Sequence, residues 1–157
     1  MVILKAGSMA PNFLLLNQTN ESVELKNFRG KSKVVVYFYP KASTPGCTIQ
    51  ACGIRDYAGE FKGLNTVVLG ISPDKPAKLQ KFENKYELGF SLLSDEDNAV
   101  ADAYGVWGLK KFMGREFMGI MRTSFIIDEA GYLVKIFQKV NTKTHNDNLI
   151  AYIKDES

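Results

Sequence analysis

The chain contains two cysteines, Cys47 and Cys52, and they stand five positions apart in one segment. A thiol in the first turn of a helix lies near unpaired backbone N–H groups and the positive end of the helix dipole, which favour the thiolate. A second thiol close by can trap the oxidised form of the first. The pair therefore indicates a redox catalyst. The alternative is that each cysteine packs in the core as a small apolar residue.

The elements on either side of this segment must position the first thiol. Residues 33–39 are β-branched and aromatic without alternation, which predicts a strand buried on both faces. Thr44 suits the N-cap of a helix and Pro45 suits its first position. Apolar residues then recur at helical spacing as far as Phe61. We therefore expect Cys47 in the first turn of a helix, directly after a buried strand.

The spacing of the two cysteines has a geometric consequence. In an ideal helix, two residues five positions apart have Cα atoms about 8.5 Å apart on different faces. A disulfide requires Cα atoms within about 7 Å. If Cys47 and Cys52 are both helical in the reduced protein, the bond cannot form without unwinding of the helix.

Three other residues are candidates for the site. Thr44 can cap the helix or point its hydroxyl at the thiolate, and Pro40 can end the strand or shield the sulfur from water. A thiolate also needs a fixed cation. Arg122, immediately before a predicted strand at residues 123–128, can supply one through its planar set of donors. The alternative is an ordinary surface arginine.

The remaining segments alternate between strand and helix patterns. This order predicts an α/β protein with a thioredoxin-like fold, in which a central mixed β-sheet is flanked by helices and preceded by an N-terminal β extension. We expect one domain over residues 1–157. Strands are predicted at 13–16, 22–25, 66–71, 90–93 and 132–140, and helices at 72–86, 98–104 and 145–153.

The bulk composition excludes several classes of protein. The 157 residues are 45% hydrophobic and 24% charged, with a net charge of +3, too small to indicate nucleic acid or membrane as a partner. No basic region followed by a long apolar stretch opens the chain, so we expect a reducing, cytoplasmic location, and the alternative is an organelle protein whose leader has been removed. Two cysteines and the distant His145 do not make a zinc site. His145 lies among polar residues, and we expect it on the surface at the start of the last helix.

Residues 105–121 give no clear secondary-structure pattern. Within them, residues 110–118 mix basic and aromatic side chains. Contact with nucleic acid is one interpretation, but a loop near the mouth of the active site is favoured. Trp107 either packs in the core or lines that mouth. Residues 72–76, with two prolines, are interpreted as the entry to a helix.

The run Pro-x-x-x-Thr-x-x-Cys, filled by Pro40, Thr44 and Cys47, resembles the active-site signature of peroxiredoxins. The wider match is to the bacterioferritin-comigratory-protein branch, also called the Q type. It covers nearly the whole chain, in order and with similar spacing. The matching segments are 38–42, 47–56, 69–74, 93–95, 105–108, 113–114 and 122–128.

This resemblance implies a thiol peroxidase that reduces hydrogen peroxide and organic hydroperoxides. Cys47 matches the peroxidatic cysteine of the family and Cys52 the resolving cysteine, while Pro40, Thr44 and Arg122 match the rest of the active-site set. The resemblance further implies that no cofactor or metal is needed, that thioredoxin or a similar dithiol recycles the enzyme, and that the protein is a monomer.

Two other functions remain compatible with a cysteine pair. The first is a general thiol–disulfide oxidoreductase, although such proteins usually have two residues between their cysteines and this chain has four. The second is a redox sensor without enzymatic activity, in which the pair would alter a surface that a partner recognises.

Overall fold

The structure is a computed structural model that describes residues 4–138 and 140–156, without the side chains of Phe112 and Glu156. A short 3-10 helix occupies Leu25–Phe28. The strands and α-helices, in chain order, are β1 Leu14–Asn17, β2 Ser22–Glu24, β3 Lys33–Phe38, α1 Pro45–Asp56, α2 Ala58–Gly63, β4 Thr66–Ser72, α3 Pro76–Tyr86, β5 Ser91–Ser94, α4 Ala99–Ala103, β6 Trp107–Phe112, β7 Arg115–Ile120, β8 Thr123–Ile127, β9 Leu133–Phe137 and α5 His145–Glu156.

Seven strands form one mixed sheet in the order β2-β1-β5-β4-β3-β8-β9. The central strands β3, β4 and β5 are parallel, whereas β8 and β9 continue the sheet in antiparallel pairing. The β1–β2 hairpin extends the opposite edge through antiparallel pairing of β1 with β5. The predicted thioredoxin-like fold with a central mixed sheet, flanking helices and an N-terminal β extension is confirmed.

The central strand β3 is buried on both faces, as its unbroken apolar sequence predicts. Val35 and Tyr37 point into a cluster that includes side chains of α1, α2, α3 and α5. Val34, Val36 and Phe38 point to the other face, where α4 and the neighbouring strands cover them. Each such large apolar side chain contributes roughly 1.5–3 kcal/mol when it is fully buried. The sheet and its two apolar clusters are therefore a rigid base for the loop that follows β3.

The pairing of β3 with β8 determines what lies beside that loop. Phe38, the last residue of β3, pairs with Thr123, the first residue of β8. Because the two strands are antiparallel, the residue before β8 and the residues after β3 meet at the same edge of the sheet. Arg122 is thereby brought to the point where the chain turns from β3 toward α1.

Several element boundaries differ from the sequence-based expectation. The helical pattern that begins after Thr44 is divided into α1 and α2 at Tyr57. Residues 105–121, which gave no clear pattern, contain the two-stranded hairpin β6–β7. The predicted strand at 132–140 is shorter, and Lys139 within it lies outside the described residues. Over the part of the chain that the structure describes, no helix has the length and apolar character needed to cross a bilayer.

Candidate active site

Cys47 lies in the first turn of α1, the position expected from the sequence. Thr44 occupies the N-cap with an extended backbone, Pro45 begins the helix, and the Thr48 N–H donates to the Thr44 carbonyl at 2.9 Å. The Cys47 side chain is only 1% exposed and packs with Ala51 of the same helix. Its sulfur therefore lies at the positive end of a helix dipole in a largely apolar environment.

Arg122 supplies a cation directly at this sulfur. Its Nη2 donates to Cys47 Sγ at 3.3 Å, and its Nη1 donates to Gln50 Oε1 at 2.9 Å. The guanidinium is thus held by two different bonds, both to residues of α1. Gly46 packs directly against the guanidinium, because a Cβ at this position would be 3.4 Å from Arg122 Nη2. This arrangement can stabilise negative charge on the sulfur and on an oxygen that approaches it.

Thr44 and Pro40 lie in the loop between β3 and α1. The Thr44 hydroxyl donates to the Lys41 carbonyl at 2.8 Å and makes no capping bond, although Thr44 occupies the N-cap position. Because the single hydroxyl proton is used there, the oxygen keeps its lone pairs for a donor from outside. Pro40 is partly buried two residues after the end of β3.

Asp74 holds this loop in place, a role that the sequence did not reveal. Its buried carboxylate accepts from the Ala42 N–H at 2.7 Å and from the Ser72 hydroxyl at 2.9 Å. The interpretation of residues 72–76 as simple helix entry was therefore incomplete. A lone aspartate between two prolines gives no local signal of this role, because its partner Ala42 is 32 positions away.

Cys52 lies in the same continuous helix as Cys47, and both thiols are free. Ideal helical geometry separates their Cα atoms by about 8.5 Å. Cys52 is partly exposed and lines a shallow cavity of about 350 Å³ between α1 and the start of α5, together with Ile49 and Thr142. The structure therefore places the two cysteines near each other without bringing their side chains together.

His145 is buried, and the expectation that it lies on the surface was wrong. It is 2% exposed, its Nδ1 lies 3.2 Å from Gln50 Nε2, and its Nε2 lies 2.6 Å from Ser124 Oγ. Burial, together with the nearby cation of Arg122, lowers the pKa of His145 to about 4. His145 is therefore neutral near pH 7. Among the described residues, no group of three or more His, Cys, Asp or Glu side chains is arranged to hold a metal ion.

A second cavity, of about 630 Å³, opens beside Arg122. Its walls come from strands β6, β8 and β9 and from the turns that precede β6 and β8, and they include Val106, Leu109, Met121 and Phe125. The segment expected as a loop at the mouth of the site is thus a hairpin that forms one wall of this cavity. Trp107 packs, partly buried, against the core cluster on the α4 face of the sheet.

Comparisons with known proteins give consistent results. The model of the AhpC/TSA family matches residues 6–136. Peroxiredoxin Bcp of Escherichia coli (strain K12) is 50% identical over 154 residues, 98% of this chain and 98% of the relative. Peroxiredoxin Bcp of Bacillus subtilis (strain 168) is 43% identical over 154 residues, with 98% of each covered.

A solved structure extends the similarity to the backbone. It is that of the bacterioferritin comigratory protein of Xanthomonas campestris, from a study of its alkyl peroxide reduction activity through trapped intermediate and ligand complexes. The two chains are 29% identical and superpose with a TM-score of 0.90, over 97% of this chain and 99% of that one.

Proposed function

Since the chain belongs to the AhpC/TSA family and is a peroxiredoxin, a thiol peroxidase, we propose that Cys47 is its peroxidatic cysteine and Cys52 its resolving cysteine. The observation that carries this assignment is the bond from Arg122 Nη2 to Cys47 Sγ at the start of α1. Among the residues that the structure describes, no arginine or lysine donates a hydrogen bond to Cys52 Sγ. Cys52 is, however, the only other cysteine in the chain.

In the first step, the Cys47 thiolate attacks the terminal oxygen of the hydroperoxide. The sulfur gives an electron pair to that oxygen, the O–O bond breaks, and the other oxygen leaves as an alkoxide or hydroxide, which takes up a proton from solvent to give an alcohol or water. Cys47 becomes a sulfenic acid. A low thiol pKa alone raises the rate of attack on peroxide only modestly, because the nucleophilicity of the thiolate falls as the pKa of the thiol falls.

Most of the acceleration must therefore come from groups that stabilise the leaving oxygen and align the O–O bond. Arg122 and the backbone N–H groups of the first turn are the available donors. Thr44 already donates its hydroxyl proton to the Lys41 carbonyl, so its oxygen serves as an acceptor for the O–H of the peroxide. Pro40 shields the sulfur from bulk water.

In the second step, the first turns of α1 unwind and the Cys52 thiolate attacks the sulfenic sulfur. The S–O bond breaks, a disulfide forms, and the oxygen leaves as hydroxide, which takes up a proton from solvent to give water. Unwinding is required because both cysteines belong to one helix whose geometry keeps their Cα atoms beyond the reach of a disulfide. An external dithiol then reduces the disulfide, and we propose that this dithiol is thioredoxin and that the monomer works in the cytoplasm.

We propose hydrogen peroxide and organic hydroperoxides as substrates. The cavity beside Arg122 supports the organic class, because Val106, Leu109 and Phe125 in its walls offer an apolar surface for an alkyl group. The same cavity is lined by Arg122, whose guanidinium contacts Cys47 Sγ. The alkyl peroxide reduction named for the Xanthomonas campestris relative also supports it.

Peroxide consumption with thioredoxin, thioredoxin reductase and NADPH tests the proposal. The wild type should turn over repeatedly, Cys47→Ser should be inactive, and Cys52→Ser should consume one equivalent and stop. An insulin-reduction assay on the same samples separates the alternatives. Rapid insulin reduction with slow peroxide consumption would identify a general thiol–disulfide oxidoreductase, and a rate with peroxide near that of free cysteine would favour a sensor.

A further inference from the structure

Behind the proposed site lies a buried chain of hydrogen bonds that the chemistry above does not use. Gln50 and Ser124 are each 0% exposed and His145 is 2% exposed. The chain runs from Arg122 to Gln50 on α1, then to His145 at the start of α5, and ends at Ser124 on β8. It thus joins the helix that carries both cysteines to two elements of the scaffold.

The donor and acceptor roles along this chain follow from its first member. The Arg122 guanidinium can only donate, so the atom of Gln50 that faces it is Oε1. The Gln50 amide nitrogen therefore faces His145 and donates to Nδ1, which must be unprotonated. The imidazole proton is then on Nε2, where it donates to Ser124 Oγ at 2.6 Å.

The opposite tautomer of His145 would break this series of hydrogen bonds. With a proton on Nδ1, His145 would present a donor to the Gln50 amide nitrogen. Gln50 would have to turn over to offer its oxygen to His145, and its NH₂ group would then face the Arg122 guanidinium. Arg122 would lose one of its two bonds to α1, and its plane would no longer be fixed against Cys47 Sγ. The neutral charge expected for His145 agrees with this arrangement, because an imidazolium donates from both nitrogens.

We propose that His145 is a positioning residue, which acts as the Nε2–H tautomer through Gln50 to hold Arg122 against Cys47. This inference rests on the proposed function, because it assigns His145 to the reaction of Cys47 with peroxide. His145 touches neither the sulfur nor the substrate. Its contribution is to orient one amide, and that amide orients the guanidinium.

The contacts of Gln50 with Arg122 and His145 also restrain helix α1 against unwinding. Gln50 stands between Cys47 and Cys52, so any unwinding that brings the two sulfurs together must also pull Gln50 away from Arg122 and His145. A weaker link between His145 and Gln50 should therefore slow the reaction with peroxide without slowing disulfide formation. Loss of a contact that only restrained α1 would speed disulfide formation and leave the rate of the reaction with peroxide unchanged.

Two amide substitutions of matched chemistry test the role of His145. In His145→Asn the side-chain oxygen falls near the place of Nδ1 and can accept from Gln50. In His145→Gln the amide extends toward the place of Nε2 and Ser124, leaving Gln50 without its acceptor. Stopped-flow mixing of each reduced protein with hydrogen peroxide gives the rate constants of oxidation and of disulfide formation.

We expect His145→Gln to slow oxidation by about tenfold, which corresponds to about 1.4 kcal/mol of activation free energy. His145→Asn should restore most of the wild-type rate, and disulfide formation should not be slowed in either variant. Equal oxidation rates in His145→Gln and wild type, or equal losses in both variants, would overturn the inference. If the wild type itself shows no fast reaction that depends on Cys47, the proposed function fails and the inference fails with it.

A spectroscopic measurement on the wild type keeps the inference testable if a variant does not fold. His145 is the only histidine in the chain. In the reduced protein, ¹⁵N-histidine NMR should show a protonated Nε2 and an unprotonated Nδ1, and the Nδ1 signal should shift when the disulfide forms and Gln50 leaves. A protonated Nδ1, or two tautomers in rapid exchange, would overturn the inference directly.

Discussion

Burial of His145 should make the stability of the protein depend on pH. Its ordinary pKa of 6.5 falls to about 4 in the folded protein, because burial and the cation of Arg122 both disfavour the imidazolium. Tyr37 also faces the imidazole, with ring centroids 5.7 Å apart, but burial raises the pKa of Tyr37 well above its ordinary value, so its phenol stays neutral. Gln50 and Ser124, the other partners, do not titrate.

The sign follows from proton linkage. Below about pH 6.5 the unfolded chain binds a proton at His145 that the folded protein does not bind until about pH 4. The contribution of His145 to the free energy of unfolding is therefore complete above about pH 6.5 and is lost progressively as the pH falls toward about 4. Between about pH 8 and about pH 5, this one group should reduce the free energy of unfolding by about 2 kcal/mol.

Urea denaturation at these two pH values measures the effect, with His145→Asn as the control because asparagine does not titrate. The carboxylates are common to both proteins, so their contributions cancel when the two pH-dependent changes are subtracted. From about pH 8 to about pH 5, the free energy of unfolding of the wild type should fall by about 2 kcal/mol more than that of the variant. A difference below about 0.5 kcal/mol would show that His145 titrates alike in the folded and unfolded states and would refute the burial argument.

Three further substitutions test other parts of the structure. Thr44→Val should slow the oxidation step by about tenfold or more while the free energy of unfolding changes by less than about 1 kcal/mol, and unchanged single-turnover kinetics would refute its role. Cys52→Ser should leave a sulfenic acid that mass spectrometry detects after one equivalent of peroxide, and repeated turnover of this variant with thioredoxin would refute the resolving role of Cys52. Gly53→Ala should destabilise the protein by about 1–2 kcal/mol in urea, because the collision of the new Cβ with the buried Asn146 side chain outweighs the helix propensity that alanine adds to α1. Gly59→Ala is the matched control, since nothing lies within 4 Å of its Cβ position, and it should stabilise the protein by up to about 1 kcal/mol.

The parts of the fold that the sequence predicted are those with strong local patterns. The unbroken apolar run of β3 and the Thr-Pro start of α1 placed Cys47 correctly in the first turn of a helix. The β6–β7 hairpin was missed because its strands expose most of their side chains, including Leu109 and Met118, so no alternation of buried and exposed residues marks them. The break at Tyr57 was missed because apolar residues continue at helical spacing on both sides of it.

The site depends on contacts between residues far apart in the chain, which local patterns do not show. Arg122 lies 75 positions from Cys47, and the pairing of β3 with β8 brings the two together. Only the family resemblance selected Arg122 among the basic residues. The predicted surface position of His145 was wrong because its neighbours in sequence are polar. In the fold its imidazole is buried and contacts Gln50, 95 positions away, and Ser124, 21 positions away.

Cys47 should react rapidly with peroxide, because the helix start and Arg122 form a site for that reaction. The decisive experiment is stopped-flow mixing of reduced protein with limiting hydrogen peroxide, followed by the fluorescence of Trp107. We expect a transient many orders of magnitude faster than the reaction of a free thiol, absent in Cys47→Ser, and a second phase that disappears in Cys52→Ser. A rate near that of free cysteine, confirmed by direct assay of peroxide consumption, would show that the surroundings of Cys47 do not accelerate its reaction with peroxide.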